Sequence, residues 1–455
     1  MERDMTSGNF IKKIIIFSIP VMLGSIFQLL FNTCDLIVVG KFAGDNSLAA
    51  VGSTSSLINL IINIFVGFSI GANVIIANAL GRRDDVECHK AVHTSILFAI
   101  LAGAFLMVFG FLTSGIWLRL MDTNEESIDK ATLYLKIYFL GSIFNLVYNF
   151  GAAILRSIGE TKRPLIYLTI SGALNALLNL LFVIVFKMDV AGVAIATIIS
   201  QGLSAILITI DLIKIDSPIK LYLNKLKIYP NELLRIILVG LPAAIQSSLI
   251  SASNVFIQKS VNSFDNNAIV AGNTASSNVE GFVWTSMNSF YQACISFTSQ
   301  NYGAKKIRNC KKILLICAAC ACVTGIIMGG IAYLLRRPLI YLYVSSKEAV
   351  KYGTLRLTII CLSYCLCGIM DVPVGGLRGL KKSTIPMIVS ILGMVVFRIL
   401  WLSTVFKVYH KLWIIYISYP ISWILTATVH YICYAVVYNK YKNNPDLNLD
   451  YQREA

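Results

Sequence analysis

Residues at the ends of matching apolar segments recur along this chain at a constant separation of 222 positions. Pro20 pairs with Pro242, Asn32 with Asn254, Gly81 with Gly303, Cys88 with Cys310, Lys90 with Lys312, Leu155-Arg156 with Leu377-Arg378, and Pro164 with Pro386. One or two such matches arise by chance; a set in one register across five of six segments does not. The chain therefore reads as two copies of one unit. Because the repeated segments are apolar and long enough to cross a bilayer, the unit is a membrane one. Duplicated membrane folds are above all the architecture of secondary transporters, in which one half moves against the other around a site.

Composition agrees with a polytopic membrane protein: 56% of the 455 residues are hydrophobic and only 14% are charged, with a mean hydropathy of +0.72. A hydrocarbon core of ~30 Å needs roughly 20 apolar residues at ~1.5 Å each. Twelve segments meet that need, at 12–39, 47–80, 91–117, 131–155, 164–187, 190–213, 233–259, 267–300, 312–335, 351–376, 384–407 and 412–438. The expected fold is all-α, with twelve transmembrane helices as two parallel six-helix repeats. An even number of spans per copy gives both copies one orientation, related by an axis along the membrane normal. The expected division is an N-terminal lobe over 1–213, a cytoplasmic linker over 214–232, a C-terminal lobe over 233–438 and a cytoplasmic tail over 439–455.

The formal charge of +16 raises the question of nucleic acid, and its distribution answers it. Lys and Arg crowd alternate loops, as at Arg82, Arg83 and Lys90, or Lys305, Lys306, Arg308, Lys311 and Lys312, while Lys41, Lys187 and Lys259 stand alone between them. By the positive-inside rule the rich loops are cytoplasmic, which puts both termini inside the cell membrane. The loop holding Arg336, Arg337, Lys347 and Lys351 is the one poor fit. The charge pattern thus predicts contact with lipid and none with nucleic acid. No GxxxxGK[ST] phosphate loop occurs, and the linker and tail are too short for a catalytic domain. His89 and His93 are four apart but have no carboxylate between them, His410 and His430 stand alone, and no HExxH pair occurs, so no enzyme and no cofactor are expected. Cys317, Cys320, Cys322, Cys361, Cys365 and Cys367 lie inside apolar spans without histidine, which reads as packing and not as a transition-metal site.

Ionisable groups inside a bilayer cost ~2.5–3.5 kcal/mol or more at its centre, so each is a functional candidate. Asp35 lies in the first span, above Pro20, whose missing N–H offers that helix a bend. Asn175 and Asn179, four apart in the fifth span, share a helix face, and Thr197 in the sixth can complete a polar cluster with Asp35. A carboxylate with amide and hydroxyl oxygens suits a hard monovalent cation; helix-to-helix hydrogen bonding is the bland alternative for Asn and Thr. Glu280 in the eighth span, Asp371 in the tenth and Arg398 in the eleventh are candidates for coupling or proton relay, or for an Asp371–Arg398 or Glu280–Arg398 pair that merely neutralises charge. Only Arg398 and Lys136 are counted as bases within the spans. Trp284, Met287 and Tyr291 form a stripe that reads as packing or as the wall of a cavity for flat lipophilic cations, through cation–π and sulfur contacts.

Ile19-Pro20 with Asp35 beyond it, Ala77-Asn78-Ala79-Leu80-Gly81, Leu155-Arg156-Ser157-Ile158-Gly159, Gly240-Leu241-Pro242, Ser299-Gln300-Asn301-Tyr302-Gly303-Ala304 and Gly376-Leu377-Arg378-Gly379 are weak motifs singly and specific in this order. Together they give a chain that resembles the bacterial multidrug and toxic compound extrusion transporters, a family within the superfamily that includes flippases of lipid-linked oligosaccharides. The resemblance covers nearly the whole chain. It implies two six-helix lobes forming a V, a monomer, and secondary active antiport that exports organic cationic or lipophilic compounds for Na+ or H+; a flippase of lipid-linked sugars is the alternative. It also implies that Asp35 is the cation carboxylate with Asn175 and Thr197 as neighbours, and that Asn179 stands where many members carry Asp. Asp371 is similar to an acid of some branches. Gln246 occupies the place of their seventh-span acid, and Glu280 is expected to take over its work.

Overall fold

The computed structural model describes residues 4–121, 125–444 and 446–448. Its helices are α1 Phe10–Phe42, α2 Asp45–Arg82, α3 Asp85–Leu120, α4 Glu125–Leu140, α5 Ser142–Ser157, α6 Lys162–Val185 and α7 Asp189–Lys214. After a linker come α8 Pro230–Asn262, α9 Asn267–Gly303, α10 Ile307–Leu334, the short α11 Arg336–Tyr341, α12 Lys347–Gly379, α13 Thr384–Tyr409 and α14 Leu412–Lys442. No strand occurs among the described residues. Ten of these helices are long and apolar enough to cross a membrane. The fourth span, expected as one helix over 131–155, is instead α4 and α5, bent by 49° at Gly141. The twelfth crossing is α9, whose 37 residues span by length although Ser, Thr and Asn dilute its hydropathy.

The sequence repeat is also a repeat of backbone geometry. Arg83 and Lys305, 222 residues apart, both take left-handed φ of 57°. In each case the next residue donates back across the helix end, Asp84 N–H to Ala79 O at 3.0 Å and Lys306 N–H to Asn301 O at 2.9 Å. Gly159 and Lys381 repeat the device with φ of 78° and 61°. These closures satisfy carbonyls that a helix end leaves free, and a basic side chain there also faces the negative end of the helix dipole. A stretch of π-helix at Leu180–Val185 in α6 recurs at Leu402–Phe406 in α13. A register kept through caps and π-turns excludes any net insertion between the copies.

The chain folds into two compact units that do not coincide with the two copies. One holds Leu23–Ala244, the other Asp4–Met22 with Ile245–Ala455. The chain passes between units within α1 after Met22 and within α8 after Ala244. These points are again 222 apart, and each lies two residues beyond a proline, Pro20 or Pro242. In the first unit the beginning of α8 lies on α2, where the Gly71 Cα faces Ile236 O and Gly67 faces the Ala244 backbone. In the second, the beginning of α1 lies on α9, with Phe17 edge-on to Phe297 at 5.7 Å, inside a core that includes Ile14, Ile313, Leu314 and Leu377. Lipid tails are as apolar as leucine, so such helices associate through close packing at small residues and not through water exclusion. Gly272 of α9 illustrates this, set against Ala349 O and Gly353 N of α12 with no room for a Cβ.

Within the first unit the linker folds back on α3. His93 accepts the Tyr222 N–H at Nε2, 3.0 Å away, and Thr94 Oγ1 accepts from Tyr229 N–H at 3.1 Å. Ile219 and Leu221 are buried beneath it.

Candidate functional site

Three elements of the first unit converge on one polar cavity. α1 presents Asp35, α6 presents Asn175 and Asn179 one turn apart, and α7 presents Thr197. Asn179 Nδ2 donates to Asp35 Oδ1 at 2.5 Å and to Asn175 Oδ1 at 3.3 Å, and Asn175 Nδ2 reaches Thr197 Oγ1 at 3.5 Å. Thr197 Oγ1 donates onward to Val193 O at 2.9 Å. The four residues singled out from sequence thus lie together. Asn179 is the last residue before the π-helical stretch of α6, a widened turn that π-bulges commonly place at functional positions.

Asn179 is fully buried, and its Oδ1 has no protein partner. A buried amide oxygen beside a carboxylate has the chemistry to ligate a hard cation. The donor set of carboxylate, two amide oxygens and a hydroxyl fits Na+ and lacks the thiolates and imidazoles of a transition-metal site. Among the described residues no group of three His, Cys, Asp or Glu side chains is placed to hold a metal.

The cavity next to this cluster has a volume of about 120 Å³ and is lined by Gln28, Asn32, Asn145, Tyr148, Asn149 and Gln201 besides Asp35, Asn175 and Thr197. Asp35 is the one charged residue in that lining. Tyr134 and Tyr138 of α4 also lie near Asp35. None of these neighbours was singled out from sequence. The available signal was a second i, i+4 amide pair, Asn145 and Asn149, which bond to one another at 3.1 Å.

The second unit contains a different kind of polar site. Glu280 of α9 is paired with Arg356 of α12 in a bidentate geometry, Nε to Oε1 at 2.7 Å and Nη2 to Oε2 at 2.8 Å, with both residues 5% exposed. The third guanidinium nitrogen donates to Asn273 Oδ1, which also accepts from Tyr416 OH at 3.4 Å. Asn273 Nδ2 in turn donates to Gln258 Oε1 at 3.0 Å. Arg356 is thus a base within the spans that the sequence count of Arg398 and Lys136 left out, and it corrects the expected Glu280–Arg398 pair. The Asp371–Arg398 pair does not form either. Among the described residues Arg398 makes no ion pair: its Nε meets Ser422 Oγ at 3.2 Å, its guanidinium lies 4.2 Å from the Tyr419 ring, and Nη2 has no partner. Asp371 sits by Trp284 and Arg378.

The stripe of Trp284, Met287 and Tyr291 does not form one wall with Gln246. Met287 is 2% exposed, its sulfur pressed towards Gly325 and Gly368, whereas Trp284 is 44% exposed. Gln246 and Tyr291 are buried around Arg378, which donates to Gln246 Oε1 at 2.8 Å and to Tyr291 OH. Gln246 Nε2 continues to Ser390 Oγ at 3.0 Å. Pro20 lies inside α1, which remains helical through it.

An all-helical, multi-pass chain made of two equivalent repeats, with a half-buried carboxylate among buried amides in one and a buried ion pair in the other, defines the class of membrane transporters. The chain belongs to the MatE family, whose model matches it twice, over residues 20–181 and 242–404, once per repeat. It is 27% identical to the probable multidrug resistance protein YpnP of Bacillus subtilis over 80% of this chain and 82% of that one. It is 26% identical to the probable multidrug resistance protein YoeA of the same organism over 93% of both, and 20% identical to the multidrug export protein MepA of Staphylococcus aureus over 91% and 92%. Among solved structures it matches a MATE protein in complex with MaL6 with a TM-score of 0.91 at 22% identity, covering 97% of this chain and 99% of the other. An outward-facing multidrug resistance MATE family transporter of the MOP superfamily matches with a TM-score of 0.90 at 21% identity, over 97% and 98%. The protein is therefore a multidrug-efflux-family transporter with the MATE fold, and not an enzyme.

Proposed function

We propose that this protein is a secondary active antiporter that exports organic cationic or lipophilic compounds in exchange for Na+ or H+ by alternating access. The observation that carries the reading is Asp35, the one charge in a cavity of amides and hydroxyls, held by Asn179 beside a buried oxygen that has no partner. A monovalent cation binds there to Asp35, Asn175, Asn179 and Thr197. Its binding displaces the Asn179 Nδ2 contact and turns the amide oxygen inward, so the bound and free states differ in how α1, α6 and α7 are joined. An ion that binds one state ~1,000-fold better than the other shifts their balance by ~4 kcal/mol. Bending of α1 near Pro20 transmits that shift to the compound's binding site. The compound leaves outward and the ion is released inward. The transporter acts as a monomer with both termini cytoplasmic.

A flippase of lipid-linked sugars would need basic groups for pyrophosphate in its cavity, and the lining of this one holds an acid and no base. The test is efflux of ethidium from liposomes that contain the purified protein, with Na+ and pH gradients imposed separately. One gradient should drive efflux in the unmodified protein and fail to drive it in Asp35→Asn. Gradient-driven efflux by Asp35→Asn at the unmodified rate would remove Asp35 from the scheme.

A further inference from the structure

The polar sites of the two units correspond in part. Adding 222 to Tyr134, which lies near Asp35, gives Arg356, and the same step takes Thr197 to Tyr419 and Leu36, next to Asp35, to Gln258. The acids do not correspond: Glu280 and Asn273 of α9 step back to Ile58 and Val51 of α2, and Asp35 steps forward to Ile257. The two sites also differ in content. In the first unit a carboxylate and amide oxygens surround no protein cation. In the second, carboxylate and amide oxygens surround the guanidinium of Arg356.

We infer that the C-terminal repeat carries a cation as a fixed part of the chain: Arg356 fills the oxygen cradle of Glu280 and Asn273, and this cradle has no place for an exchangeable ion. The cradle is built for a planar cation. Both Glu280 oxygens and Asn273 Oδ1 take the three nitrogens of the fork, and the rings of Tyr416 and Tyr419 lie 5.5 and 5.6 Å from its centre. Gln258 and Tyr416 hold Asn273 in place. Three charge-assisted hydrogen bonds give each guanidinium nitrogen a partner, and two aromatic rings flank the group. Its side chain cannot leave, so the charge of this site stays constant while that of the Asp35 site changes. The consequence is a cycle in which Glu280 binds no exchangeable cation. That there is an exchange cycle rests on the reading of Asp35 given above; the fixed cation does not.

Chemical rescue tests the fixed cation directly. Arg356→Ala empties the cradle, and free guanidinium has the shape to refill it. The thermal unfolding midpoint of Arg356→Ala should fall below that of the unmodified protein and recover in low guanidinium chloride, but not in sodium chloride at equal concentration. The Glu280→Gln/Arg356→Ala protein, with a neutral cradle, should show no such recovery. Recovery in sodium chloride, in both variants alike, or in neither would overturn the inference. If Arg356→Ala cannot be purified, ion counting serves instead: Glu280→Leu/Arg356→Met should exchange as many Na+ or protons per protein as the unmodified protein, and loss of one ion in that variant would overturn it. Absence of any exchange, with guanidinium rescue intact, would remove the antiport reading and support the fixed cation.

Discussion

Replacing Glu280 by glutamine keeps the shape of the side chain and removes its charge, which isolates the contribution of the ion pair. An amide presents one oxygen to Arg356 where the carboxylate presented two, and its NH2 group faces a guanidinium N–H, donor against donor. Arg356 is then a buried charge with no counter-ion, held by one amide oxygen, Asn273 and two ring faces. Breaking a buried pair by removing one partner costs about 3–5 kcal/mol. For a cooperative unit of 150–250 residues each kcal/mol moves the midpoint by roughly 2–4 °C, so Glu280→Gln should unfold roughly 6–20 °C below the unmodified protein. The assay is thermal unfolding of the detergent-purified protein. Its control is Glu280→Leu/Arg356→Met, which removes both charges and fills the space with apolar atoms; such replacements are commonly neutral or stabilising. That variant should recover most of the loss. A Glu280→Gln midpoint within about 2 °C of the unmodified protein, below the smallest shift worked out above, would refute the reasoning.

Other outcomes follow from the same geometry. Asn179→Leu, which removes both the donor to Asp35 and the unpartnered oxygen, should lower gradient-driven ethidium efflux by about 10-fold or more in liposomes, whereas Asn179→Asp should retain it. Gly272→Val should destabilise by about 1–3 kcal/mol in thermal unfolding, because its side chain meets Ala349 O and Gly353 N of α12. His93→Phe keeps a flat ring beside Tyr222 and deletes the acceptor of its N–H. Loss of that bond, worth ~0.5–1.5 kcal/mol, should speed trypsin cleavage at Lys220 or Lys225 by about 2- to 10-fold.

The repeat was legible because it is written in residues whose backbone roles are local. Leu155-Arg156 and Leu377-Arg378 precede left-handed closures that depend on their own few neighbours, so geometry copies with sequence. The Asp35 cluster was legible for a similar reason: polar residues in apolar spans must find one another, and Asn175 and Asn179 share a face by helical period alone. Arg356 escaped notice because it lies only two and a half turns into α12, where a base reads as reaching for the interface. Its partner Glu280 lies 76 residues away, and nothing local marks the two as neighbours. The break at Gly141 was hidden as well. Its apolar run is continuous, and the bend follows from packing, where Ile198 of α7 fills the space beside Gly141. Nor does any local pattern reveal that α1 and α8 each begin in one unit and end in the other.

That exchange of helix halves bears on how the molecule is made. The beginning of α1 leaves the ribosome long before the residues it packs against: Phe297 of α9, Leu377 of α12 and Tyr434 of α14. During synthesis this segment must therefore wait in the bilayer, helical but undocked, until most of the chain has been inserted. The first unit has a shorter wait, since α8 closes it soon after the linker. Assembly thus runs in a fixed order, the segments between before the beginning of α1, and α14 completes the berth in which α1 docks.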